Sequence, residues 1–183
     1  MLKKILMGLG VALLLFVLYV VYALFIATPV SPPDTAKFSG QGIDIEVNYS
    51  RPSKKGRVIF ADESEGALQP YGKYWRLGAN AATEISLSKD VLFAGKPVKA
   101  GTYRMYAVPG KQAFKLTLNS ELDVFFGVAE PDTSLDILSV DAPVTMQDNV
   151  TETFTVSFQE SGSEIQMHFT WDKVRFTVPI VVQ

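Results

Sequence analysis

Two stretches of this chain concentrate side chains able to hold a ligand. The first is Tyr49 to Arg57, YSRPSKKGR, in which Arg51, Lys54, Lys55 and Arg57 share a segment shaped by Pro52 and Gly56. The second is Pro70 to Thr83, PYGKYWRLGANAAT, which gathers Tyr71, Lys73, Tyr74, Trp75, Arg76 and Asn80 around Gly72 and Gly78. Aromatic rings stack on a sugar face, and guanidinium forks bond oxygens in pairs. The ligand-binding candidates are therefore Arg51, Arg57, Tyr71, Lys73, Trp75, Arg76 and Asn80, and the ligand they suit is a saccharide or an anionic small molecule. A structural reading competes, in which Trp75 plugs the end of the fold and Arg51 and Arg76 bond loop carbonyls. Lys54, Lys55 and Arg57 taken alone read as a solvated face.

Other chemistries find less support. The chain has no cysteine, which removes thiol nucleophiles, disulfides and Cys-ligated zinc. Its one histidine, His168, falls on the polar side of a strand between Gln166 and Thr170, where a hydrogen-bonded surface residue is expected. Asp62, Glu63 and Glu65 cluster in one loop and Glu84 begins a strand, so a carboxylate pair for glycoside hydrolysis is an alternative function. No calcium-loop, phosphate-loop or nucleophile-elbow pattern is present, and no metal or cofactor is expected. The formal net charge is −2 with Lys3 and Lys4 included, so no basic face points to nucleic acid.

The elements that must position these loops are strands. Ile43, Ile45, Val47 and Tyr49 alternate with Asp44, Glu46 and Asn48, and Thr83, Ile85 and Leu87 alternate with Glu84 and Ser86. VLFAGKPV makes a short strand with a Gly-containing turn. Two hairpins follow, one turning at Pro109-Gly110 and one between Glu160 and Ser163, and KVRFTVPIVV closes the series with Pro179 at an edge or a bulge. Seven to nine short strands with one apolar face each predict an antiparallel β-sandwich, with a closed barrel as the alternative.

Ahead of the strands, Ile5 to Ala27 is free of charge and proline and long enough to span a bilayer. No small-residue cleavage site ends the run, so it is expected to stay as a signal anchor. Lys3 and Lys4 place the N-terminus in the cytoplasm and the remainder in the periplasm or outside the cell. The expected layout is a cytoplasmic start at 1–4, a transmembrane helix at 5–27, a Pro-rich spacer at 28–37 and a β-domain at 38–183.

The ordered series YSRPSKKGR, PYGKYWRLGANAAT, SKDVLFAGKPVKAGTYRMYAVPGK and a late strand pair ending in FTW resembles the bacterial family catalogued as domain of unknown function 2911. The similarity runs from about Phe38 to Ile180. It implies an exported, β-rich domain of bacterial envelopes and carries no established activity, substrate or cofactor. Two departures stand out: FFG at Phe125 to Gly127 where members commonly have a Trp-Gly pair, and the longer acidic ADESEGALQ ahead of PYG. The expected function is a binding or interaction module for an envelope saccharide, small molecule or envelope protein; a hydrolase using Glu84 and a purely structural envelope component are the alternatives.

Overall fold

A computed structural model describes residues 2–22, 30–122, 124, 127 and 129–183. The chain divides into two compact units, 1–30 and 31–183. The first holds helix α1, Leu2–Val21, whose 20 residues rise about 30 Å and whose large apolar side chains from Ile5 onward are, except Val20, exposed. By length and composition α1 is able to cross a membrane, a property that an anchor and a signal sequence share. The end of the apolar run at 23–27 and the start of the spacer at 28–29 lie outside the described residues.

The second unit is β-rich and, apart from one two-residue parallel pair, antiparallel. Its strands are β1 (Pro33–Gly40), β2 (Ile43–Ser50), β3 (Phe60–Ala61), β4 (Gln69–Pro70), β5 (Thr83–Leu87), β6 (Val91–Phe93), β7 (Lys96–Val98), β8 (Gly101–Val108), β9 (Ala113–Asn119), β10 (Asp136–Ser161) and β11 (Glu164–Val182). Nine of them form one sheet in the order β1-β2-β5-β8-β9-β10-β11-β6-β7, and β3 and β4 make a small parallel pair. The sheet does not close into a barrel.

It doubles over on its two long strands. The first part of β10 pairs with β9 and its last part with β11, with register shifts between Met146 and Thr155. β11 bends at Asp172, a residue of positive φ. That corner sets the His168 imidazole 2.8 Å from the Thr177 hydroxyl and stacks Phe169 on Phe176 with centroids 4.7 Å apart. Phe38 of β1 meets Phe158 in the last part of β10 at 6.0 Å, so the β1 edge of the sheet faces the folded-over half across one core. The inward residues of both halves, among them Val47, Ile85, Met105, Leu118, Phe154, Phe169 and Val178, form a single apolar cluster.

Three details depart from the sequence reading. The segment Pro33–Lys37, expected as spacer, is the first half of β1 and pairs with β2 residue for residue from Pro33↔Ser50 to Gly40↔Ile43. The first half of β10, Asp136–Val144, is a strand that the alternation did not announce, because Ile137 points outward and Pro143 interrupts it. Pro179 is not at an edge: β6 and β7 lie outside β11, whose pairing with β6 starts at Ile180 while the Pro179 carbonyl accepts from the Ala94 amide at 2.8 Å.

Candidate functional site

Apart from Lys55, whose backbone amide alone bonds Glu152, the loop cations have partners within the protein. The segment after β2 is laid along β10: the Lys54 amide bonds the Glu152 carbonyl at 2.7 Å, and the Phe154 amide bonds the Pro52 carbonyl at 3.0 Å. Arg51 spends all three of its nitrogens there, on the Phe154 carbonyl at 3.3 Å, the Thr155 hydroxyl at 3.1 Å and the Asp34 carboxylate at 3.2 Å. Arg57 donates to the Lys54 and Ser53 carbonyls. Lys54 pairs with Asp172 at the corner of β11.

The second loop is organised around Trp75, which is 2% exposed. Its amide and carbonyl form a bridge with Ala107 of β8 at 2.8 and 2.9 Å, which drives the indole into the core. There it stacks on Trp171 at 5.9 Å and meets Phe154 and Phe60 edge-on at 5.1 and 5.3 Å. Its Nε1 donates to the Gly78 carbonyl at 3.3 Å. Gly78 has φ of 147°, and a Cβ there would sit 2.8 Å from the Ser50 carbonyl oxygen, so only glycine lets this loop close on β2. Arg76 bonds the Asn80 carbonyl, Asn80 donates to the Ser31 carbonyl, Lys73 pairs with Glu63 at 3.4 Å, and the Tyr71 hydroxyl reaches the Phe60 carbonyl at 3.4 Å. Trp75 has no ring face left for a ligand. None of the seven candidates lines either of two grooves found among the described residues.

A groove among the described residues lies on the outward face of the sheet. The registers Thr35↔Asn48, Asn48↔Glu84, Glu84↔Arg104, Arg104↔Asn119 and Asn119↔Asp136 place six polar residues in one line across β1, β2, β5, β8, β9 and β10. Opposed residues on one face of an antiparallel sheet have Cβ atoms about 5 Å apart. One end of the line is open: a groove of about 400 Å³ is lined by Asp34, Thr35, Asn48, Ser50, Glu84 and Val124 among others. The Tyr49 hydroxyl at its wall donates to Asp34 at 3.2 Å and accepts from the Val156 amide at 3.1 Å, and burial raises its pKa.

The other end is covered. Arg104 is 1% exposed although it faces outward. It pairs with Glu121 and donates to the Tyr74 hydroxyl at 2.9 Å and the Ala129 carbonyl at 3.2 Å, while its Nε has no partner. Beside it the Tyr106 hydroxyl donates to the Asp136 carboxylate at 2.8 and 3.0 Å. Burial first and that carboxylate second push its pKa up to about 12. Asn119 donates to Asp136 at 2.8 Å and accepts from the Glu121 amide at 2.8 Å. The sequence reading missed this network; its only signal was an arginine and an asparagine on the outward side of a hairpin. Phe125 and Phe126, where the family pattern departs, lie outside the described residues.

The acidic loop does not supply a partner for Glu84: Asp62 is held by Lys111 at 2.7 Å and Glu63 by Lys73, and neither they nor Glu65 line the groove that Glu84 borders, where the other carboxylate is Asp34. Among the described residues no group of three His, Cys, Asp or Glu side chains is placed to hold a metal.

His168 is a departure of a different kind. It lies on the polar side of its strand yet is only 8% exposed; its Nδ1 meets Thr177 and its Nε2 is buried without a partner. Burial, aided by the Arg175 charge, lowers its pKa below 6.5. The unfolded chain therefore binds a proton that the folded domain refuses, and stability is lost as pH falls from 6.5 toward the lowered value. His168→Gln is expected to flatten that slope. Denaturant midpoints measured from pH 7.5 to 5 check it, and an unchanged slope would refute it.

An antiparallel sheet doubled over one core, its loops consumed in packing and a polar line on one outer face, defines a β-sandwich-like domain with a surface groove. The chain belongs to the family described as Protein of unknown function (DUF2911), which matches residues 31–180. No curated protein and no solved structure matches it.

Proposed function

We propose that the β-domain is a saccharide-binding module whose site is the groove on the outer face of β1, β2 and β5. The observation that carries this is the coincidence of the groove with the open end of the polar line. Thr35, Asn48, Ser50 and Glu84 offer hydroxyl, amide and carboxylate groups side by side. Sugar hydroxyls both donate and accept, so such a surface exchanges its water for ligand at little cost in unpaired groups. Asp34 and Glu84 make the groove a poor host for an anion, which favours a neutral saccharide over the anionic small molecule.

In this reading α1 is a signal anchor with Lys3 and Lys4 on the cytoplasmic side, and the groove samples saccharides of the envelope outside the membrane. Asn48 is exposed, accepting from Thr35 at 2.7 Å and donating to Glu46 at 3.0 Å, so its loss leaves the core untouched. Asn48→Ala is expected to weaken saccharide binding roughly tenfold, the worth of one or two hydrogen bonds, with the melting temperature within about 2 °C of wild type. Calorimetric titration with neutral oligosaccharides checks this. Binding indifferent to Asn48→Ala would move the site away from the groove, and saccharide turnover abolished by Glu84→Gln would make the domain a hydrolase.

A further inference from the structure

A second groove, of about 440 Å³, lies beside the first on the same face, lined by Lys37, Asp44, Glu46, Ser86 and Thr102 among others. It uses the same strands as the first groove: β1 contributes residues 37–39 instead of 33–35, and β2 contributes 44–46 instead of 48–50. Four residues of strand are about 14 Å, so the grooves sit end to end along β1 and β2 with their centres farther apart than the length of one sugar ring. Polar contacts run on between them. Thr35 bonds Asn48, Asn48 donates to Glu46, and Glu46 pairs with Lys37 at 2.8 Å. The side chains along the floor are short: Ser50, Ala82, Ser86 and Thr102.

Resting on the saccharide reading, we infer that the two grooves are subsites of one cleft for a linear, uncharged oligosaccharide lying along the strands. Chain length follows from the spacing. Neutrality follows from the charge balance, in which Asp34, Asp44, Glu46 and Glu84 outnumber Lys37 and repel a polyanion.

The test uses the full chain in a detergent without a sugar headgroup, titrated with linear gluco- and N-acetylglucosamine oligosaccharides of one to six units. Affinity is expected to rise at least tenfold with length and then level off once both grooves are filled. Thr102→Trp, at an exposed position of the second groove, should abolish that rise and leave the affinity for the shortest ligand within twofold. Length-independent binding that Asn48→Ala still weakens would overturn the cleft and leave the single-groove module standing. Preference for a uronate chain over the neutral series would overturn the neutral ligand, and no binding at any length would overturn both readings.

Discussion

Trp75→Ala should cost about 3–5 kcal/mol of stability, the range for deleting a large aromatic side chain from a packed core. At about 2–4 °C per kcal/mol for a domain of this size, the melting temperature should fall by roughly 6–20 °C. The indole is shared by both halves of the doubled sheet: Phe154 and Trp171 come from β10 and β11, Phe60 from the small parallel pair, and the backbone bridge from β8. Its removal leaves a cavity where these elements meet, and the Gly78 carbonyl loses its donor. Trp75→Phe keeps most of the volume and should cost about 1–2 kcal/mol. Tyr71→Ala, in the same loop but half-buried, should cost less than Trp75→Phe. Thermal melts of the three variants check the order. A Trp75→Ala protein that melts with wild type would overturn the core assignment and restore Trp75 as a ligand-stacking residue.

The fold was legible wherever a strand had one fully buried face. β2 and β5 alternate because every second residue is in the core, β8 and β9 alternate in residue type although Arg104, Thr117 and Asn119 are buried on their outer side, and the Pro109-Gly110 turn has a physical reason: a Cβ on Gly110 would lie 2.3 Å from the Ala113 carbonyl oxygen. β1 was illegible over Pro33–Lys37 because its residues are only shallowly buried, and what holds them is the backbone ladder to β2, which leaves no mark on residue type. β10 and β11 were legible piecewise. Their corners at residues 147–154 and at Asp172 depend on how the two halves of the sheet close over one another.

The site was harder, for reasons that differ between its parts. The cationic loops are conspicuous in composition, but composition does not distinguish a guanidinium awaiting a ligand from one bonded to the carbonyls of Phe154, Ser53, Lys54 or Asn80. Backbone acceptors carry no sequence signature. Thr35, Asn48 and Glu84 read as ordinary outward positions, and what makes them a surface is cross-strand register. That register joins residues far apart in sequence, and its first member sits in the stretch expected to be spacer.

Register also frames the second large effect. Glu121→Gln should destabilise the domain by about 2–4 kcal/mol, whereas Arg104→Met should cost less, although Arg104 is the buried member of the pair. The Glu121 side chain is 38% exposed and its carboxylate takes water when Arg104 is gone; the Arg104 side chain, 2% exposed, has no such recourse when Glu121 is neutral. An uncompensated buried cation is the costly state, and an apolar replacement of similar length removes the cation altogether. The double variant should therefore be no less stable than Glu121→Gln alone, a strongly non-additive cycle. Denaturant titrations of the three variants measure it, and additive costs would refute it. Glu84 gives the cycle its bearing on function. It stands opposite Arg104 in the ladder and also borders the groove. Arg104→Met removes the cation that stands opposite Glu84, so the groove should change its affinity for its saccharide without any lining residue having been changed.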